Sequence, residues 1–137
     1  MAERCFFDTN VLVYAQSAGE PQKRKTARKL LAAHLGAQTA VFSTQVLQEY
    51  FVATRRIGLP AELAQQHVAT YAQANVVQVT TDLILAAIDL HRLQKLSFWD
   101  ALIVRSARAG GCSVLMTEDL QHGQSYEGVR VENPFLR

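Results

Sequence analysis

Asp8, Glu49, Asp100 and Asp119 are the residues of this 137-residue chain whose types and settings could do chemistry together. Cys5-Phe6-Phe7 leads into Asp8, and Val46-Leu47 and Tyr50-Phe51 flank Glu49. Phe98-Trp99 and Ala101-Leu102-Ile103-Val104 enclose Asp100, and Val114-Leu115-Met116-Thr117 runs on into Glu118-Asp119. Singly, each acid has an ordinary explanation. Asp8 ends a strand and turns the chain, Glu49 flanks a helix stripe, and Asp100 suits the positive end of a helix dipole. Together they form an all-oxygen donor set with no paired Cys or His at ligand spacing. Such a set fits hard divalent cations such as Mg²⁺ or Mn²⁺ and not zinc. Two such ions about 3.5–4 Å apart can clamp the attacking and leaving oxygens of a phosphodiester and lower the pKa of water.

Whether the four acids meet depends on the elements that carry them. Arg4–Phe7 reads as a buried strand ended by Asp8, with Thr9 as cap of a helix over Asn10–Ala15. Pro21 opens a second helix over Gln22–Leu35, with Ala27, Leu30, Leu31 and His34 inward. Val41-Phe42 is a short strand, and Ser43 or Thr44 caps a third helix with Val46, Leu47, Tyr50, Phe51 and Thr54 as its inner stripe. Pro60 starts a fourth helix carrying Leu63, His67, Val68 and Tyr71. Val76–Val79 is the third strand. Thr80 or Thr81 caps a fifth helix whose Leu83, Ile84, Ala87, Ile88, His91 and Leu93 are mostly inward. Ser97 is the N-cap of a sixth helix, with Asp100 at N3, Trp99, Leu102, Ile103, Ser106 and Ala107 recurring at helical spacing, and Gly110-Gly111 as the stop. Ser113–Thr117 is the fourth strand, and Arg130–Glu132 a weak fifth one at an edge.

Strands alternating with helices imply a parallel sheet covered on both faces. Right-handed crossovers then place all the strand C-termini on one rim. Asp8 and Asp119 follow strands onto that rim, and Glu49 and Asp100 sit in early turns of helices. Four converging carboxylates resist ionisation, a cost that a bound divalent cation offsets.

Composition narrows the alternatives. Hydrophobic residues make up 49% and charged residues 19% of the sequence, a globular balance in which no apolar run reaches membrane-spanning length. With no signal-like start, the expected compartment is the cytoplasm, and Cys5 and Cys112 read as buried thiols. The net charge of +2 is mild, yet Lys23-Arg24-Lys25, Arg28-Lys29 and Arg55-Arg56 are locally basic. They are either solvated helix faces or a surface suited to a polyanion. No phosphate-binding glycine loop and no nucleophile elbow is present. His34, His67 and His91 read as helix-face residues, whereas His122 lies close behind Asp119, within reach of a substrate phosphate.

The run Phe7-Asp8-Thr9-Asn10-Val11-Leu12-Val13-Tyr14, then Glu49 in a helix, then Phe98-Trp99-Asp100-Ala101-Leu102-Ile103, then Leu115-Met116-Thr117-Glu118-Asp119-Leu120, resembles PIN-domain nucleases. The similarity is closest to the toxin subunits of bacterial VapBC toxin–antitoxin pairs and covers essentially the whole chain. It implies a single PIN-like domain over residues 1–137: an α/β, three-layer α/β/α fold with a central, mostly parallel sheet of about five short strands. It implies an endoribonuclease that hydrolyses RNA phosphodiester bonds with Mg²⁺ or Mn²⁺. Asp8, Glu49, Asp100 and Asp119 carry over as its catalytic and metal-binding acids, and Thr9 or Asn10 with Thr117 as supporting polar groups. Two adjacent acids offer themselves for the fourth place. The family pattern skips one residue after Thr117, which selects Asp119 over Glu118. The resemblance also implies a homodimer and a cognate antitoxin covering the acidic pocket.

Two other readings fit parts of the pattern. An aspartate-nucleophile phosphatase would use Asp8 to attack phosphorus, although Asn10 stands where such enzymes have a second Asp. A non-catalytic nucleic-acid or partner-binding module could share the fold, although all four acids are present.

Overall fold

The computed structural model describes residues 2–136. In chain order the elements are β1 (Cys5–Phe7), α1 (Thr9–Tyr14), α2 (Pro21–Gly36), β2 (Ala40–Ser43), α3 (Thr44–Arg56), α4 (Ala61–Tyr71), β3 (Asn75–Val77), α5 (Thr81–Leu93), α6 (Phe98–Ala109), β4 (Val114–Met116), β5 (Ser125–Tyr126) and β6 (Val129–Glu132). The six strands form one sheet in the order β3-β2-β1-β4-β6-β5. All neighbours are parallel except β5, which runs antiparallel to β6. The three central strands are buried along their whole length, as strands covered on both faces must be. Helix α1 packs on α2 and α3, α3 packs on α4, α5 packs on α6, and both groups cover the sheet. Phe6, Phe7, Phe42, Tyr50 and Leu115 are the large side chains at the centre of the core. Tyr71 meets Phe42 and Tyr50 edge-on at 5.2 and 5.5 Å between ring centroids.

The sheet has six strands where the sequence pattern indicates about five. The missed strand is β5, two residues long and too short for an alternation to register. It makes β6 an inner strand and not the edge, paired with β4 on one side and β5 on the other. The turn between them has positive φ at both Glu127 and Gly128, 51° and 86°. This is the backbone of a tight two-residue hairpin, normally signalled by Asn-Gly or Asp-Gly. Glu127 tolerates that conformation while its carboxylate is held by Arg105 and Arg108 of α6 at 2.6 and 2.7 Å.

Three further expectations are corrected. Asp8 and not Thr9 caps α1: it is extended, with φ −71° and ψ 158°, and accepts from the Thr9 amide. Trp99 points outward, and α6 buries Ala101 to Val104, Ser106 and Ala107. On α5 only Ala87 and Leu90 are buried, and Ile84, Ile88 and Leu93 stay exposed, as do Phe51 of α3 and Leu63 of α4. The expectation failed on α5 because that helix has only α6 as a packed neighbour among the helices, and one contact face needs few apolar residues. Among the described residues no helix is long and apolar enough to cross a membrane. Cys5 and Cys112 are buried free thiols, pushed up by burial to about 11 and about 12.

Gly110 ends α6 against the sheet. A Cβ placed there would meet Val41 Cγ1 at 2.8 Å and Val77 Cγ2 at 3.0 Å. Val41 is fully buried in β2 and has no room to retreat. Gly110→Ala is therefore expected to lower unfolding stability by about 1–3 kcal/mol through overpacking, measured by urea denaturation. Wild-type stability in that variant would show that α6 can slide on the sheet.

Candidate active site

The strand order makes β1 the point where the chain reverses direction across the sheet. From β1 it moves outward through β2 and β3, then returns to the other side of β1 as β4. Open α/β sheets bind ligands in the crevice beyond the strand C-termini at such a point. Phe7 pairs with Met116 in the β1–β4 register, so the residues after them, Asp8 and Thr117, stand side by side. The Asp8 amide donates to the Met116 carbonyl at 3.0 Å.

Asp8 is only 6% exposed. Its Oδ1 accepts from the Thr9 amide at 2.8 Å, and its Oδ2 from the Thr117 hydroxyl at 2.8 Å and the Asn10 amide group at 3.4 Å. The same Asn10 Nδ2 reaches Thr117 Oγ1 at 3.2 Å and Asp119 Oδ2 at 3.1 Å. Thr117 Oγ1 also accepts from the Asp119 amide at 3.1 Å. Asn10 and Thr117 thus tie the ends of β1 and β4 together and set Asp8 and Asp119 in fixed relation. Across the crevice, Ser43 ends β2 and caps α3, its Oγ accepting from the Val46 amide. Helix α3 packs against α1, and the Thr9 hydroxyl donates to Glu49 Oε1 at 2.8 Å.

Asp8, Thr9, Asn10, Glu49 and Asp119 line one open cleft of about 450 Å³, together with Gln48, Val52, Ala53 and Arg56. A cavity of about 520 Å³ beside Arg4, Gln38 and Asn75, at the opposite end of the strands, contains no acid. Asp100 does not line the cleft. It lies in the first turn of α6, its amide donating to Ser97 Oγ at 3.1 Å. Glu118 is drawn elsewhere: Tyr14 donates to it at 2.6 Å, and Lys23 pairs with it at 3.1 Å. The histidines serve the scaffold. His34, His67 and His91 bond Thr39, Tyr50 and the Leu96 carbonyl, and His122 accepts from the Asn133 amide. Gln48 carries no local signal in the sequence, and Arg56 stands out there only as part of a basic pair. The signal for Arg56 was its spacing, seven residues or two helical turns beyond Glu49, which puts both on one face.

Electrostatics set this cleft apart from the other acids. Burial pushes the Asp8 carboxyl up to about 7; the Thr117 and Thr9 hydrogen bonds oppose that rise, and the charges of Asp119 and Glu49 reinforce it. Asp119 is raised as well, by burial first and then, against the Asn10 hydrogen bond, by Asp100 and Glu118. Among the described residues, Glu3, Glu118, Glu127 and Glu132 have basic partners, whereas Asp8, Glu49, Asp100 and Asp119 have none, a state they share with the surface acids Glu20, Glu62, Asp82 and Asp89. A buried carboxylate beside two like charges fits a divalent cation. The donors are oxygens, as Mg²⁺ or Mn²⁺ requires. Among the described residues no three acidic, His or Cys side chains converge to ligate one ion. The fit is that of a hydrated ion held through one or two carboxylates, with Asp8 and Asp119 best placed.

The raised Asp8 pKa has a signed consequence for stability. Between the ordinary carboxylate pKa and about 7, the folded protein holds a proton that the unfolded chain has lost. Without metal, this contribution is complete below about pH 4 and disappears as pH rises through 7, a change on the order of a few kcal/mol. Asp8→Asn is expected to flatten that slope, whatever constant offset it adds. Urea titrations in EDTA from pH 4.5 to 7.5 check this, and parallel slopes for both proteins would contradict the burial argument.

A family model described as the PIN domain matches residues 5–125. A toxin–antitoxin complex from Klebsiella pneumoniae contains a chain of the same fold, with a TM-score of 0.71 and 21% identity over 96% of this chain and 98% of that one. VapC20 of Mycobacterium tuberculosis, a sarcin–ricin loop cleaving toxin, superposes with a TM-score of 0.63 and 24% identity over 81% of this chain and 86% of that one. No curated protein matches the sequence. Both structural likenesses are likenesses of fold, whereas the family match spans most of the chain, from β1 to the start of β5: the chain belongs to the PIN domain family.

Proposed function

We propose that this chain is a single-domain, Mg²⁺-dependent endoribonuclease that hydrolyses RNA phosphodiester bonds, and that it is the toxin of a toxin–antitoxin pair. The observation that carries the proposal is the buried Asp8 carboxylate, tied through Asn10 and Thr117 to Asp119 and facing Glu49, without a basic partner among the described residues. In this reading Asp8 and Asp119 hold the cation, and Glu49 and Asp100 complete the acidic set. When bound, the cation supplies Lewis-acid stabilisation of phosphoryl charge and a lowered pKa for water.

The chain's own groups do the rest. Asn10 orients both aspartates by donating to one oxygen of each, and Thr117 donates to Asp8 while accepting from the Asp119 amide. Thr9 holds one Glu49 oxygen and leaves the other to take a hydrogen bond from the attacking water. Arg56, on the cleft wall two turns further along α3, meets a phosphate oxygen and draws a polyanion towards an otherwise acidic site. A new P–O bond forms to water, whose proton passes to Glu49, and the bond from phosphorus to a ribose oxygen breaks, the leaving oxygen taking a proton from solvent. Glu118, held by Tyr14 and Lys23, takes no part.

The likeness of the chain to a member of a toxin–antitoxin complex supports an antitoxin partner that covers this cleft. The apolar side chains left exposed on α3 and α5, among them Phe51, Val52, Leu85 and Ile88, support self-association as a homodimer. The compartment that goes with this reading is the cytoplasm.

The purified chain is expected to cleave RNA in Mg²⁺ or Mn²⁺ and to stop in EDTA. Asp119→Asn should lower the rate by at least about 100-fold, the upper end of what outer partners of a metal site cost, and Glu118→Gln should leave most of it. Gel-based cleavage assays check this. Activity that survives metal stripping would end the metal-dependent reading, and an inactive Glu118→Gln with an active Asp119→Asn would shift the fourth acid by one residue.

A further inference from the structure

The first turn of α6 carries a side chain that the cleft does not explain. Trp99 is the only tryptophan of the chain and is 62% exposed. The core does not need it, since α6 buries Ala101 to Val104, Ser106 and Ala107 instead. Phe98, which packs against the core, meets the Trp99 ring edge-on with centroids 5.1 Å apart. The indole is thus braced on one side by an anchored neighbour, while much of its surface faces solvent. Tryptophan is enriched at contact sites, where its broad apolar face and its N–H both find partners.

Its place in the fold identifies the contact. Helix α6 passes through a short turn into β4, so its last residues lie at the start of β4. Its first turn therefore lies at the other end of the sheet, on the rim that carries Asp8, Thr117 and Asp119. Trp99 immediately precedes Asp100, whose charge acts on Asp119, so it stands on the same rim as the acidic site without lining the cleft. An exposed aromatic face on the rim of a candidate phosphodiester site whose wall carries Arg56 is the chemistry that binds single-stranded nucleic acid.

We infer that Trp99 is a stacking platform for one base of a single-stranded RNA whose neighbouring phosphodiester occupies the acidic cleft. This inference rests on the ribonuclease reading and adds a positioning residue to it. Stacking accepts any base, because every base has a π-face, so Trp99 favours unpaired strands without choosing their sequence. A duplex keeps its bases stacked inside and offers no face to the indole.

Because Trp99 is the only tryptophan, its fluorescence reports this site alone. The probe is a ten-nucleotide single-stranded RNA with a terminal dye, titrated into the full chain with Ca²⁺ in place of Mg²⁺ and checked intact on a gel. Dye anisotropy then reports binding independently of the tryptophan. Trp99 emission should fall saturably in step with anisotropy, and a duplex of the same sequence should leave it unchanged. Trp99→Ala should weaken binding by about 5- to 150-fold, the range for one lost stacked base, and Trp99→Tyr should recover most of it. In Mg²⁺, Trp99→Ala should raise KM more than it lowers kcat, with an unchanged thermal melt. If RNA binds and is cleaved normally by Trp99→Ala, or binds without changing the emission, the stacking role is overturned and the ribonuclease reading stands. If RNA neither binds nor is cleaved by the wild type, both fall. If Trp99→Ala instead turns a dimer into a monomer in sedimentation, and emission follows protein concentration and not RNA, Trp99 is a subunit contact and the inference is overturned.

Discussion

The structure depends on how a carboxylate is kept buried at the end of its central strand. Asp8 gives up most of its hydration, and burial alone would drive it neutral. Two donors oppose that tendency, the Thr9 amide and the Thr117 hydroxyl, and the Asn10 side chain makes a longer contact at 3.4 Å. None carries a charge. The site therefore has the hydrogen bonds to orient a carboxylate but no counter-charge, and Asp119 and Glu49 add charge of the same sign. Such an arrangement costs folding energy, which is reasonable when binding of a cation recovers it.

The β1–β4 pairing gives this arrangement its shape. Because Phe7 faces Met116, the two chains leave the sheet side by side, and Asn10 and Thr117 can bridge them within hydrogen-bonding distance. One residue of slip in that register would point Thr117 away from Asp8. Helix α3 closes the other wall. It starts at the same rim because its cap, Ser43, is the last residue of β2. Several ion pairs form elsewhere in the chain. Lys23 and Tyr14 take Glu118, and Arg105 and Arg108 take Glu127. The basic groups with acidic partners are thus spent away from the cleft, and Arg56 remains on its wall.

Membership in a fold family does not by itself identify a reaction, since one scaffold can carry many. The argument for phosphodiester hydrolysis lies in the site: oxygen donors, raised carboxylates, and a cation-bearing wall that suits phosphate. The helices frame it as a shallow, open cleft. An open cleft suits a polymer that enters and leaves sideways better than a small molecule, whose binding calls for enclosure on most sides.

Much of the fold was legible in the sequence by itself. Three-residue apolar runs such as Cys5-Phe6-Phe7 and Val114-Leu115-Met116, each followed by polar groups and separated by amphipathic helices, allow little besides a parallel sheet covered on both faces. That alone put Asp8, Glu49 and the Glu118-Asp119 pair near one rim, because strand direction and crossover hand leave no choice of end. The tertiary structure decided what local patterns cannot carry. Whether Trp99 faces the core or the solvent depends on what packs beside α6, not on its spacing along α6. The hairpin of β5 and β6 rests on Glu127 in a left-handed turn, held by two arginines from a distant helix. Glu118 and Asp119 are neighbours of the same charge, and no periodicity separates them. Their difference arises because Lys23 and Tyr14 lie on one side of the strand end and Asn10 on the other, contacts between residues about a hundred positions apart that only the folded chain brings together.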